Sequence, residues 1–138
     1  MKIKLLLVLS VVFLFLAGIW ACATTATVQL KDKEGSGKYL TDEKGMTLYY
    51  FKKDLDSQST CIDECVKRWP FFYREKIRVS NGLNANDFST ISRIDGPNQT
   101  AYRGRPLYYW YDDKQPGDMK GEGTNKVWYV IYPDKFKP

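Results

Sequence analysis

The side chains best suited to carry out chemistry are two cysteines four residues apart, Cys61 and Cys65. Residues at this spacing share one face of a helix, so the two sulfur atoms can meet. In an oxidising compartment the pair predicts a structural disulfide. The alternative is a redox pair, because a cysteine near a helix N-terminus can have a stabilised thiolate. The spacing differs from the Cys-x-x-Cys of thioredoxin-like proteins, which favours the structural disulfide.

A second candidate site is the acidic stretch "DDKQPGDMKGEGTN" over residues 112–125. Carboxylate oxygens are the ligands that Ca²⁺ prefers, so the stretch is a candidate calcium loop. The spacing does not fit an EF-hand, and a solvated turn between two strands is the favoured alternative. No other cofactor is expected. The candidate calcium ligands are Asp112, Asp113, Asp118 and Glu122.

The sequence contains no histidine. This excludes histidine-containing zinc and copper sites, histidine-ligated haem, and catalytic pairs of serine or cysteine with histidine. An enzyme would have to use carboxylates such as Asp54 and Asp113. No catalytic residue is predicted, and a role without turnover is favoured.

Two octets repeat almost the same letters, "TLYYFKKD" and "PLYYWYDD", 59 residues apart. As strands they carry aromatic side chains on both faces, so they should be covered on both sides or expose an aromatic surface on one. The rings of Tyr49, Phe51, Tyr108 and Trp110 are therefore a candidate binding surface, although aromatic side chains in a small domain usually form its core.

Each octet ends in an aspartate, Asp54 or Asp113, whose expected role is to accept hydrogen bonds from backbone N–H groups of the following turn. With this feature the chain resembles a bacterial family of secreted repeats, or predicted lipoproteins, that carries a Y-x-[FWY]-x-x-D motif. The segments "CIDECVKRWP", "YRGRPLYYW" and "VWYVI" extend the resemblance. It implies an extracytoplasmic location and a duplicated domain, and it implies no particular reaction.

The elements that must position these residues are short. Aromatic and β-branched runs separated by Gly, Asp, Asn and Pro predict a mainly β fold: a small antiparallel domain with one short helix and two related hairpin repeats. The helix is predicted within Ser59–Pro70, with Thr60 as its cap and Asp63 completing a capping box. The predicted strands are Lys38–Thr41, Thr47–Phe51, Ile77–Val79, Phe88–Ile94, Thr100–Tyr102, Leu107–Tyr111 and Val127–Tyr132.

Residues 1–21 have the features of a lipoprotein-type signal peptide: Lys2 and Lys4 precede the apolar run Leu5–Leu16. The tetrad "IWAC" then predicts lipid attachment at Cys22. Cleavage after Ala23 is one alternative. A permanent membrane helix is another, for which the apolar run is short.

Residues 22–37 are predicted to be a tether and residues 38–138 a single β-rich domain. Loss of two lysines with the signal lowers the net charge from +5 to +3, too little to indicate nucleic-acid binding. The expected partners are the membrane, through the lipid anchor, and an envelope protein or small ligand. The favoured function is a non-enzymatic binding or assembly module of the bacterial cell envelope, lipid-anchored outside the cytoplasmic membrane. The alternative is a redox or electron-transfer accessory protein.

Overall fold

The structure is a computed structural model that describes residues 25–138. The predicted signal peptide and the predicted lipidation site, Cys22, lie outside the described residues. Within the described part of the chain, no helix is both long and apolar enough to cross a membrane.

The fold is mainly β, as predicted. Short strands form three small sheets, and all pairing between the strands is antiparallel. Strand β1 pairs with β2, β3 pairs with β7, and β4, β5 and β6 form the third sheet. The strands are β1 Val28–Lys33, β2 Gly37–Asp42, β3 Tyr49–Phe51, β4 Phe88–Ser92, β5 Asn98–Tyr102, β6 Arg105–Pro106 and β7 Trp128–Val130.

The tether predicted over residues 22–37 is wrong from Val28 onward. Strand β1 pairs with β2 along its whole length, with Leu30 opposite Leu40, and Val28 is completely buried in the core. The charged residues that suggested a tether form the exposed tip of this hairpin. Gly35 turns the chain there with a positive φ of 76°, a conformation that glycine adopts without strain.

Two hairpin units with the same plan make up the domain. The β1–β2 and β4–β5 hairpins are each followed by a turn with a glycine in the left-handed region, Gly45 at φ 82° and Gly104 at φ 79°. Each turn leads into one of the repeated octets. The predicted pair of related hairpin repeats is therefore present.

Helix α1 is shorter than predicted and spans Glu64–Arg68. Thr60 is not its cap, because the backbone N–H and the hydroxyl of Thr60 both donate to Oδ1 of Asp54, at 2.7 and 2.9 Å. Asp63 precedes the helix with φ 51° and makes no side-chain capping bond. Two short 3-10 helices cover Ala85–Asp87 and Thr124–Lys126.

Two predicted strands are reduced to isolated bridges. Within Ile77–Val79 only Val79 forms a bridge, with Val28. Within Leu107–Tyr111 the bridges are at Tyr108. Both segments lie beside other chain segments, but the pairing is too short to count as a strand.

The core consists of two clusters of buried side chains. The first is mainly aliphatic and includes Leu48 and Leu107, both completely buried. The second is mainly aromatic, and it contains the candidate site residues of the repeats. Its buried members are Tyr39, Tyr49, Cys61, Trp69, Tyr108, Trp128 and Val130.

Candidate functional site

The two repeated octets meet each other at the first tyrosine of each. The N–H of Tyr49 donates to the carbonyl of Tyr108 at 2.9 Å, and the N–H of Tyr108 donates to the carbonyl of Tyr49 at 2.9 Å. These residues occupy the same place in the two octets, 59 positions apart. A reciprocal antiparallel pair of equivalent residues defines a local pseudo-two-fold axis between the repeats.

The pseudo-two-fold relation extends through the backbone hydrogen bonds. The N–H of Phe72 donates to the carbonyl of Leu107 at 2.8 Å, and the equivalent N–H of Ile131 donates to the carbonyl of Leu48 at 3.3 Å. Both bonds join one repeat to the other, and their residue numbers also differ by 59. The repeats are therefore interlocked rather than placed side by side.

The tyrosine and aspartate of the octets bond across the axis. The hydroxyl of Tyr49 donates to Oδ2 of Asp113 at 2.6 Å, and the hydroxyl of Tyr108 donates to Oδ2 of Asp54 at 2.7 Å. Each tyrosine is thus bound by the aspartate of the other repeat. All four side chains are buried. We call these two hydrogen bonds the crossed pairs.

Each aspartate also organises the loop that follows it, which confirms its expected structural role. Oδ1 of Asp54 accepts from the N–H of Thr60, and Oδ1 of Asp113 accepts from the N–H of Lys120 at 2.9 Å. Burial raises the pKa of both carboxyl groups, although the hydrogen bonds they accept work in the opposite direction. Burial also raises the pKa of Tyr49 and of Tyr108, so both phenols stay protonated donors.

Four rings lie in one column across the axis, three of them stacked and Trp110 tilted by 41° at one end, and we call them the aromatic column. Trp69 and Trp128, which are equivalent residues of the two repeats, stack face to face with centroids 3.8 Å apart and an interplanar angle of 4°. Phe51 covers the outer side of Trp128 at 4.2 Å, and its equivalent Trp110 covers Trp69 at 4.2 Å.

The crossed pairs and the aromatic column support each other. Tyr49 packs its edge against Trp69, with centroids 5.3 Å apart, and Tyr108 packs its edge against Trp128 at 5.1 Å. Both geometries are the edge-to-face arrangement that aromatic pairs favour. The main role of the repeated octets is therefore to form the buried centre of the domain.

This result corrects the predicted aromatic surface. Tyr49 and Tyr108 are 0% exposed, so neither can contact a partner. Phe51 and Trp110 are half-buried. Among the four candidate rings, Trp110 borders a cavity.

That cavity is an open groove of about 510 Å³ at the end of the axis, which we call the axial groove. Helix α1 forms one wall and the 3-10 helix Thr124–Lys126 forms the other, and these two segments occupy equivalent places in the repeats. The rings of the aromatic column lie beneath them. The residues that line the groove are Glu64, Cys65, Lys67, Arg68, Trp69, Trp110, Thr124, Asn125 and Trp128.

The predicted disulfide is present and joins Cys61 to Cys65. Cys61 is completely buried, whereas Cys65 is half-buried and borders the axial groove. Arg93, a buried residue that was not predicted from the sequence, fixes the segment before the helix. Its guanidinium donates to the carbonyl of Cys61 at 2.7 Å and to the hydroxyl of Ser59 at 2.8 Å.

The four predicted calcium ligands are not brought together. Asp113 binds Tyr49, and Oε2 of Glu122 accepts from the N–H of Val130 at 2.5 Å. Oδ2 of Asp118 accepts from the N–H of Lys114 at 2.9 Å, which lowers the pKa of Asp118. Across residues 25–138 no three acidic, cysteine or histidine side chains form a group that would hold a metal ion. The stretch is a turn stabilised by its own carboxylates.

The Trp69–Trp128 pair was not predicted, although the sequence contained the signal. The two residues are 59 positions apart, the same separation as the octets. Extending the repeat beyond the octets would have identified them as equivalent. The axial groove had no comparable signal, because it depends on where two short helices pack.

Comparison with known families agrees with the duplicated architecture. A family described as "secreted repeat of unknown function" (Lipoprotein 15) matches the chain twice, over residues 31–72 and 89–132. The two matches together cover more than half of the chain. They correspond to the two hairpin units and the octets that follow them. Neither a search of curated proteins nor a search of solved structures found a match. The chain belongs to this family of secreted repeats, which makes it an extracytoplasmic protein.

Proposed function

We propose that this protein is a lipid-anchored binding module of the bacterial cell envelope, which holds a partner or ligand in the axial groove without converting it. The observation that carries the proposal is the groove itself. Its volume of about 510 Å³ lies within the range of roughly 300–1,000 Å³ that is typical of small-ligand sites. Its lining combines aromatic rings with a few polar and charged groups, as such sites do.

The hydrogen bonds of the two aspartates support a binding function over an enzymatic one. Asp54 and Asp113 were the carboxylates on which an enzyme hypothesis depended. Each is buried, bonded to a tyrosine of the other repeat, and bonded to a backbone N–H of its own loop. Their oxygens are occupied by the scaffold, so they do not face the groove as a general acid and base would have to.

The lipid anchor is part of the proposal and rests on the "IWAC" tetrad, with Cys22 as the modified residue. Strand β1 begins at Val28. Six residue steps of extended chain reach at most ~20 Å, so an anchor at Cys22 would hold the domain close to the membrane surface. The partner or ligand is therefore expected at that surface, and not far from it.

A redox accessory role is the second candidate, and one observation favours it. The Cys61–Cys65 disulfide has one sulfur-bearing residue, Cys65, at the rim of the axial groove. A thiol–disulfide exchange partner would then bind in the same place. Replacing both cysteines by alanine separates the two functions, because a binding module keeps its ligand and an exchange protein loses its reaction.

Photo-crosslinking in living cells tests the proposal. A benzophenone amino acid replaces Asn125, which is exposed on the wall of the axial groove. The matched control carries the same group at Gln115, which is also exposed but lies outside the groove. Binding in the groove predicts a discrete adduct at position 125 that is absent at position 115. The adduct should persist in the double cysteine variant. Equal labelling at both positions, or none at either, would contradict the proposal.

A further inference from the structure

The two repeats differ in chemistry at residues that line the axial groove. Each groove residue has an equivalent 59 positions away in the other repeat. The stacked tryptophans are the same in both. In contrast, Arg68 corresponds to Val127, and Trp110 corresponds to Phe51. Val127 and Phe51 do not line the groove. The scaffold of one repeat therefore forms with valine in place of Arg68 and with phenylalanine in place of Trp110. Neither the arginine nor the indole of Trp110 is needed to build the fold.

Arg68 supplies a cation without a carboxylate partner. Within residues 25–138 its guanidinium makes no ion pair. The other two charged residues of the groove, Lys67 and Glu64, pair with each other and so offset each other's charge. The N–H of Tyr111 donates to the carbonyl of Arg68 at 2.9 Å, which fixes this arginine beside the segment that carries Trp110. A guanidinium in this state is suited to a two-point hydrogen bond with a carboxylate.

Trp110 supplies a fixed, one-sided aromatic platform. Trp69 covers one side of its ring, with centroids 4.2 Å apart, and Tyr111 packs edge-on at 4.7 Å. Trp110 is half-buried and is one of the residues that line the groove. A ligand can therefore place one apolar face on the indole, but no second ring closes over it.

The wall opposite Arg68 is polar. Thr124 uses its hydroxyl hydrogen to donate to the carbonyl of Gly121 at 2.8 Å, which leaves the oxygen able to accept. The side chain of Asn125 is exposed and offers both donors and an acceptor. A flat hydrophobic ligand would leave these groups unpaired, and this costs affinity. A ring with one apolar face and a hydroxylated edge can stack on Trp110 and also bond with the polar wall.

We propose that the axial groove binds a saccharide that carries a carboxylate. The apolar face of one sugar ring lies on Trp110, its hydroxyl groups bond with Thr124 and Asn125, and its carboxylate binds Arg68. This inference rests on the proposed function and names its ligand class.

Two matched pairs of disaccharides test the inference with the processed full-length protein. The first pair is chitobiose and N-acetylglucosaminyl-N-acetylmuramic acid, and the second is cellobiose and cellobiuronic acid. Within each pair the two disaccharides have the same ring scaffold, and only the second disaccharide carries a carboxylate. Binding is followed by the NMR signals of the tryptophan indole N–H groups. We expect a saturable shift of the Trp110 signal and about 10- to 100-fold tighter binding of at least one acidic member, since a hydrogen bond to a charged group contributes ~1.5–3 kcal/mol.

Variants that copy the other repeat assign the roles. Arg68→Val should bring the acidic disaccharide down to the affinity of its neutral partner, and Trp110→Phe should weaken both members of the pair. Gln115→Ala, at an exposed position outside the groove, should leave the affinities unchanged. The saccharide assignment is overturned if neither acidic sugar binds more tightly than its neutral partner, or if Arg68→Val keeps the preference. An adduct at position 125 without saccharide binding would refute this inference and leave the proposed function standing.

Discussion

The crossed pairs make a specific thermodynamic prediction. Tyr49→Phe removes one buried hydroxyl, and with it the 2.6 Å hydrogen bond to Asp113 and the 3.3 Å bond from the N–H of Gly121. A hydrogen bond to a charged group contributes ~1.5–3 kcal/mol, so this variant should lower the free energy of unfolding by about 2–3 kcal/mol. Tyr108→Phe removes the 2.7 Å bond to Asp54 and should cost a similar amount.

A double-mutant cycle then identifies which residues act together. Tyr49→Phe combined with Asp113→Asn should show a coupling energy of about 1–2 kcal/mol, because the two side chains share a hydrogen bond. Tyr49→Phe combined with Asp54→Asn pairs residues of the same octet that share none. That coupling should stay within ~0.5 kcal/mol.

Urea unfolding of the disulfide-intact protein provides the free energies, by linear extrapolation to zero denaturant. Additivity within an octet and coupling between octets is the result expected of interlocked repeats. If the strong coupling instead appeared between Tyr49 and Asp54, each octet would be a self-contained unit and the pseudo-two-fold account of the fold would be wrong.

Three further predictions concern the scaffold. Leu107→Ala, at a completely buried position, should cost ~2–5 kcal/mol in urea unfolding, and a loss below 1 kcal/mol would mean that the aliphatic cluster is not the core described. Reducing the Cys61–Cys65 disulfide should cost about 2 kcal/mol, since it closes a very short loop, and thiol counting on unreduced protein should find neither cysteine free. Burial raises the pKa of Asp113 above the ordinary 3.8, so the unfolded chain loses this proton first as the pH rises. The free energy of unfolding of the wild type, measured relative to Asp113→Asn, should therefore fall from pH 3.8 upward until the raised pKa is passed; a rise over that window would contradict the assignment.

The sequence predicted the architecture well where the pattern was local. Aromatic and β-branched runs separated by turn residues predicted the β-rich fold, and the repeated octets predicted the two related hairpin units, which the structure shows with Gly45 and Gly104 in their turns. The hairpin at Val28–Asp42 was missed because its tip is charged and glycine-rich, a composition that tethers share. Pairing with β2, and not composition, makes this segment a strand.

The site was harder to predict because its contacts are non-local. The spacing within an octet places Tyr49 and Asp54 near each other in sequence, yet each bonds with the other repeat. Residue type showed that Tyr49 and Trp110 are aromatic, but only the packing shows that the first is buried and the second borders a groove. The 59-residue separation was the most informative signal, since it relates Trp69 to Trp128 as well as the octets.

The central functional claim is that the axial groove binds through Arg68 and Trp110, two residues at which the repeats differ from each other. The yield of the photo-adduct at position 125 in the Arg68→Val, Trp110→Phe double variant tests it most directly. Each substitution introduces the residue of the other repeat, so the variant should keep the cooperative unfolding of the wild type. The account predicts that the adduct is lost while the fold remains. An adduct of undiminished yield in the folded variant would contradict it.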